Sequence, residues 1–219
     1  MFIGHYALGL AAKRIAPRTS LGVLFLAPTL ADLLWPVFLL LGWEHVSFTP
    51  NPDPFLNLTF DSYPISHSLV ALIGWGALVA LLYSWRTHYG TGALVAGLLV
   101  VSHWVLDWVT HRPDMPLWPG GPRVGLGLWN SEAGTIAVES VMFIAGAAIY
   151  LKGTRAKDRV GTYAVPGLLI LLALSYVGSL FSGPPPTIQA IGFGGIVFGW
   201  LFVFWARWGD RHRESVARR

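Results

Sequence analysis

Long and nearly uninterrupted apolar runs dominate the pattern of the chain. A membrane-spanning helix needs about 20 consecutive apolar residues, and six runs reach or approach that length. The run at 134–151 is the marginal one, because it is short and contains Glu139. The predicted spans are residues 21–42, 65–85, 91–111, 134–151, 162–181 and 188–208.

A seventh apolar run, residues 2–16, is followed by Pro17 and is too short to cross a bilayer. It predicts a short helix that either lies in the interface or enters the bilayer as a half-helix. In the second case His5 lies at the inserted end, and Lys13 and Arg14 lie at the end that meets water.

The composition fits this pattern. Hydrophobic residues make up 54% of the 219 residues and charged residues 12%, against about 25% charged in an average soluble domain. We therefore predict an all-α, polytopic membrane helical bundle that forms a single membrane-embedded domain. Within it, residues 1–151 carry the candidate site, and residues 152–219 form scaffold helices and a basic tail.

The positive charges are distributed unevenly along the chain. Of the 15 Lys and Arg residues, 13 fall on one predicted side of the membrane, and only Arg112 and Arg123 fall on the other. Cytoplasmic loops carry an excess of Lys and Arg, so this bias predicts six spans with both termini in the cytoplasm of a bacterial inner membrane.

The most informative stretch is residues 102–111, at the end of the third predicted span. His103, Asp107 and His111 are four residues apart, and each step of four turns a helix by about 40°, so all three project from one stripe. That spacing lets helical side chains share a metal ion. Ionisable groups in a bilayer are costly and usually mark a functional site.

Other segments offer ionisable groups at a similar depth. Asp32 lies roughly 15–18 Å from the cytoplasmic end of the first predicted span. His67 starts the second span, and Glu139 lies near the outer end of the fourth. His5 joins them only if the first helix inserts. An isolated Asp in mid-membrane is disfavoured by several kcal/mol, so Asp32 needs a partner.

The donor set limits which metals are suitable. The chain has no Cys, so any metal is held by His, Asp, Glu, carbonyl groups or water. Nitrogen and oxygen donors suit zinc, with manganese or iron as alternatives, as one ion or a pair. Two other interpretations stay open, which are simple Asp–His hydrogen bonds and a path for protons or ions.

Two long loops lie on the predicted outer side, at 43–64 and 112–133. The second is so rich in Pro and Gly that it predicts a defined irregular path, typical of a lid or binding loop, with a simple connector as the alternative. Four nearby polar residues are candidates for substrate binding or for orienting a ligand, although helix capping and turn formation explain them as well: Ser66, Ser68, Asp114 and Asn130.

Several short motifs resemble the YdjM-like family of bacterial inner-membrane metal-dependent hydrolases. They are Gly4-His5, the segment 30–36 around Asp32, the segment 66–69 around His67, and His103 with Asp107, and they cover about residues 1–115, extending toward 130. This chain has Ala31-Asp32 where family members often have Pro-Asp. The resemblance implies a metal site formed by His5, Asp32, His67, His103 and Asp107.

These observations predict a hydrolase that acts on a lipid or lipid-linked ester, phosphoester or amide through a metal-activated water. Asp107, Glu139 and His111 are the candidate catalytic residues, with Glu139 as a base or as a partner of a histidine. The alternatives are an ion or metal transporter, or a non-catalytic bundle with structural His–Asp pairs. We expect no nucleic-acid partner, and the oligomeric state is left open.

Overall fold

The structure is a computed structural model that describes residues 1–49, 53, 55–183 and 185–216. Helices account for most of the described chain, which confirms the predicted all-α membrane bundle. The α-helices are α1 (Ile3–Ala12), α2 (Leu21–Leu26), α3 (Leu30–Leu40), α4 (Pro64–His67), α5 (Leu69–Thr87), α6 (Gly90–Thr110), α7 (Glu132–Gly153), α8 (Arg159–Phe181) and α9 (Ile188–Arg211).

Within the described ranges, five helices, α5 to α9, are long and apolar enough to cross a membrane. The first predicted span, 21–42, differs from the prediction because it is split into α2 and α3. Pro28 lies in the break, where its missing N–H and its ring disfavour a continuous helix. The Thr29 hydroxyl donates to the Phe25 carbonyl, 2.8 Å away, and this bond satisfies one carbonyl that the break leaves free.

The broken pair α2–α3 still runs along most of α9 in the opposite direction. Glycines on α9 allow this close approach, because a Cβ built on Gly195 would lie 2.7 Å from Pro36 and one on Gly199 would lie 2.5 Å from Leu33. Small residues commonly permit such close contacts between membrane helices.

Helix α1 inserts into the bundle as a half-helix with His5 at its inner end. It packs closely on α7, where a Cβ on Gly146 would lie 2.5 Å from the Ala7 carbonyl oxygen. The prediction that Lys13 meets water is wrong. Lys13 is buried, and its Nζ donates to Asp210 Oδ2 at 2.7 Å near the end of α9.

The predicted outer loops contain short antiparallel strands. Residues 112–133 follow the irregular path expected from their Pro and Gly content, with one two-residue strand pair and a 3-10 turn at Leu128–Asn130. The C-terminal tail pairs with the α7–α8 connection, and Arg218 and Arg219 lie outside the described residues. The strand pairs are β1 (His45–Phe48) with β2 (Leu58–Ser62), β3 (Met115–Pro116) with β4 (Arg123–Val124), and β5 (Thr154–Ala156) with β6 (Arg213–Ser215).

Candidate metal centre

Three histidines surround the Asp107 carboxylate in the interior of the bundle. The Nε2 atoms of His5 and His103 lie 3.1 Å from Asp107 Oδ1 and Oδ2, respectively, and His111 Nε2 lies 3.6 Å from Oδ2. All four side chains are almost completely buried. Two chain segments, α1 and the region from the end of α6 to His111, therefore converge on one carboxylate, as the spacing of these residues and the half-helix prediction indicated.

A second carboxylate, Asp32, lies beside this group. Asp32 Oδ1 is 3.7 Å from His67 Nε2 and 3.9 Å from His103 Nε2. His103 is thus shared by two triads whose ligand atoms lie within 4.8 Å of one another, His5–His103–Asp107 and Asp32–His67–His103. The five residues predicted as metal ligands are all brought together.

The break at Pro28 in the first predicted span places a free carbonyl group beside His103. Its Nδ1 lies 2.8 Å from the Pro28 carbonyl oxygen, which can only accept, so Nδ1 carries the proton and donates. That carbonyl has no helical partner, because the helix is interrupted at Pro28. The break therefore supplies the acceptor that fixes the His103 ring, and in the neutral imidazole Nε2 then keeps its lone pair.

His67 is oriented in the same way by a chain of two hydrogen bonds. The Ser66 hydroxyl donates to Glu44 Oε2 at 2.5 Å and lies 2.7 Å from His67 Nδ1, so it accepts from that nitrogen. The backbone N–H groups of Ile65 and Ser66 donate to Glu44 Oε1. His67 Nε2 is consequently left to face Asp32.

His111 departs from the sequence prediction in its backbone. Helix α6 ends at Thr110, and His111 has an extended conformation rather than completing the helical stripe. Its Nδ1 lies 2.9 Å from Asp114 Oδ1, and the Tyr63 hydroxyl donates to the same oxygen at 3.0 Å. Burial, reinforced by the Asp114 carboxylate, raises the pKa of Tyr63, so its phenol remains a donor.

The cluster contains buried polar atoms that no described group satisfies. His5 Nδ1 is fully buried and has no hydrogen-bond partner among the described residues, and His103 Nε2 meets Asp107 Oδ2 at 3.1 Å only as an ion-pair contact. The rings of His5 and His103 stack at 4.0 Å with an interplanar angle of 10°, an arrangement in which two imidazolium charges would repel each other. Buried polar atoms are normally paired, so the donor set fits a cation between these groups.

The N-terminal segment is anchored beside the same carboxylate. The Met1 amino group lies 2.6 Å from Asp107 Oδ1. Glu139 Oε2 accepts from the backbone N–H groups of Phe2 and Gly4, at 2.8 and 3.1 Å. Glu139 thus binds the start of α1, whereas the sequence suggested a base or a histidine partner.

The remaining candidates fall into two groups. Ser66 and Asp114 contact histidines of the cluster, whereas Ser68 caps α5 by accepting from the Ala71 N–H at 3.2 Å. Asn130 is exposed on the 3-10 turn. Sequence reasoning gave no site role to Glu44, which it placed in an outer loop. An acidic residue in an apolar setting without a nearby Lys or Arg was the available signal.

The fold and the site together define a polytopic α-helical membrane protein with a buried histidine–aspartate cluster. The sequence profile of the family described as YdjM inner membrane protein matches residues 1–183, which is further than the motifs alone indicated. The chain belongs to this family of inner membrane proteins. No curated protein and no solved structure matches the chain.

Proposed function

We propose that the protein is a membrane-bound, metal-dependent hydrolase that acts on a lipid or lipid-linked ester, phosphoester or amide. The observation that carries the proposal is the environment of His103 Nε2. This atom is fully buried and lies 3.1 Å from one carboxylate oxygen and 3.9 Å from another. A cation offsets the repulsion between acceptors at these distances, and we take that cation to be a metal ion shared by the two carboxylates.

The five residues of the two triads would hold a divalent cation, and His111 remains outside them. Zinc suits imidazole and carboxylate donors best, with manganese or iron as alternatives. When bound, such an ion supplies Lewis acidity that polarises the substrate and lowers the pKa of a water molecule. The residues expected to hold it are His5, Asp32, His67, His103 and Asp107.

His111 is the residue we expect to move a proton. Its Nδ1 is held by Asp114 and its Nε2 faces the cluster, so it has the orientation of a general acid or base. Trp129 packs on its ring with centroids 4.0 Å apart and limits other orientations. In this proposal Asp107 both binds the metal and interacts with the proton-transfer residue, since it contacts the ligand histidines and His111.

A transporter is less well supported by the packing. An ion path needs polar groups that continue across the membrane, and the described layer between the cluster and the Lys13–Asp210 pair is apolar. Leu10, Leu24 and Phe25 are completely buried in that layer. A non-catalytic bundle is also less well supported, because His5 Nδ1 is fully buried without a partner among the described residues.

The proposal includes an orientation, with both termini in the cytoplasm and the cluster toward the extracytoplasmic side. It is supported by the 13 of 15 Lys and Arg residues on the predicted cytoplasmic side. His103 and Asp107 lie in the half of α6 that leads to the predicted outer loop. Substrate would then reach the cluster from the outer leaflet.

Elemental analysis of the purified protein tests the metal site. His103→Gln and Asp107→Asn should each reduce bound metal by about tenfold or more, in the range seen for disrupted ligand sites. The matched control is His45→Gln, since the His45 side chain is exposed and makes no described contact with the cluster, although its neighbour Glu44 supports His67. Size-exclusion chromatography in detergent checks that each variant is folded.

Activity is then measured on vesicles of phosphatidylethanolamine and phosphatidylglycerol, with products identified by mass spectrometry. Metal-dependent release of a hydrolysis product, lost in the His103 variant and kept in the His45 variant, is the expected result. Metal content that is the same in all three variants would refute the hydrolase. Zinc uptake into proteoliposomes without hydrolysis would favour the transporter instead.

A further inference from the structure

Helices α8 and α9 are in contact at one end and separate toward the other. Near the Lys13–Asp210 pair they touch, and the Trp205 indole N–H donates to the Ala164 carbonyl at 2.8 Å. Toward the opposite end, the small residues Gly178 on α8 and Gly194 on α9 face open space, because a Cβ on either would meet nothing within 4 Å. The two helices thus enclose a wedge-shaped gap.

The gap forms one side of a cavity of about 600 Å³. The cavity extends inward to Asp32 of the cluster. Asp32 lines the cavity, and 46% of its side-chain surface is accessible. It is the only charged side chain among the described lining residues. A volume within about 300–1,000 Å³ is typical of small-molecule sites. The cavity therefore links the lipid-facing surface to one of the two triads.

Most of the cavity wall is apolar, and two of its three serine hydroxyls are used within their own helix. The Ser179 hydroxyl donates to the Tyr176 carbonyl and the Ser182 hydroxyl to the Ser179 carbonyl, so both hydroxyls are used within their own helix. Phe198, which is 56% exposed, lies at the edge of the opening. Such a wall suits a hydrocarbon chain, with the polar Asp32 at the end near the cluster.

We propose that this cavity binds one hydrocarbon chain of the substrate, an inference that rests on the proposed hydrolase function. The chain enters from the bilayer between α8 and α9, and its hydrolysable group reaches Asp32 and the neighbouring His67 and His103. The substrate class is therefore a lipid whose scissile group is joined directly to a chain that remains in the membrane. A water-soluble ester or phosphoester lacks the part that fills the cavity.

Photocrosslinking of a diazirine-bearing hexadecanoic acid to the full-length protein in detergent tests the inference. Gly178→Trp and Gly194→Trp place an indole in the cavity, and Gly74→Trp is the matched control on α5, where a Cβ also meets open space. We expect crosslinks within α8 and α9 to fall by about tenfold in the two cavity variants, which corresponds to about 1.4 kcal/mol. The control should be labelled like the unaltered protein.

The readouts separate this inference from the function on which it rests. Bound metal should be unchanged in both cavity variants, because neither glycine belongs to a triad. Equal labelling of all variants would overturn the cavity assignment and leave the hydrolase intact. Labelling that falls as expected in a protein that neither binds metal nor hydrolyses lipid would support chain binding and overturn the hydrolase.

Discussion

At the scale of single residues, the partner that holds Nδ1 of His103 and of His67 determines that Nε2 faces the carboxylates. The pattern of His and Asp positions predicted which side chains meet, and all five predicted ligands do meet. It did not predict the Pro28 carbonyl or Glu44 as the groups that orient the rings. Those contacts come from a helix break and from a loop, and neither follows a helical repeat.

The neighbouring serines provide a test of this orientation. Ser66→Ala removes the hydroxyl that fixes the His67 ring, so metal affinity should fall by about 10- to 100-fold, the usual effect of losing such a partner. Isothermal titration of the metal-free protein with zinc measures the change.

Ser68→Ala is the control for that experiment. It removes the N-cap of α5 and should lower the free energy of unfolding by about 0.5–2 kcal/mol without changing zinc affinity. Equal zinc affinities in the two variants would contradict the assigned role of Ser66. The sequence treats these serines alike, because their roles depend on where α4 ends and α5 begins.

At the scale of elements, the short helices α2 and α3 together occupy the position of the first predicted span. Apolar length correctly predicted the five long helices, because it reflects the thickness of the bilayer. It overlooked the interruption at Pro28, although the proline is visible in the sequence, since Pro36 lies inside α3 without breaking it. Pro36 packs against Gly195 of α9, a tertiary contact that a single sequence does not show.

The Lys13–Asp210 pair joins these elements at the opposite end from the cluster. Asp210 accepts from Lys13 Nζ, from the Leu21 N–H and from the Tyr150 hydroxyl, at 2.7, 2.9 and 2.8 Å. Asp210→Asn leaves a buried ammonium without its counter-charge. We expect a loss of about 3–5 kcal/mol in the free energy of unfolding, measured by tryptophan fluorescence in a detergent titration.

Glu214→Gln is the matched acid-to-amide control. Its ion pair with Arg155 is exposed, and exposed pairs contribute about 0.2–1 kcal/mol. If both variants unfolded at the same detergent concentration, the buried pair would not be a stabilising link between α1, α7 and α9.

At the scale of the whole molecule, the orientation in the bilayer is the property that charge distribution predicts best. The chain contains no Cys, so single cysteines can be introduced without a background signal. Glu132→Cys and Lys157→Cys lie near opposite ends of α7, and both positions are exposed. A membrane-impermeant maleimide added to intact spheroplasts should label Cys at position 132 and leave position 157 unlabelled until the membrane is opened.

The reverse labelling pattern would show that the protein has the opposite orientation, with the cluster toward the cytoplasm. Labelling of both positions in intact spheroplasts would contradict a membrane-crossing α7. Depth and side cannot be read from helix packing, because the same bundle is compatible with either direction of insertion. Only the uneven distribution of Lys and Arg distinguishes the two.

In the metal site that we propose, one imidazole nitrogen belongs to both triads, so the two positions for an ion are not independent. His103 Nε2 has a single lone pair, so an ion bound by His5 and Asp107 competes for it with an ion bound by Asp32 and His67. A second ion would retain only two of its three protein donors. Stepwise titration should therefore show unequal affinities, and loss of His103 should weaken both steps together.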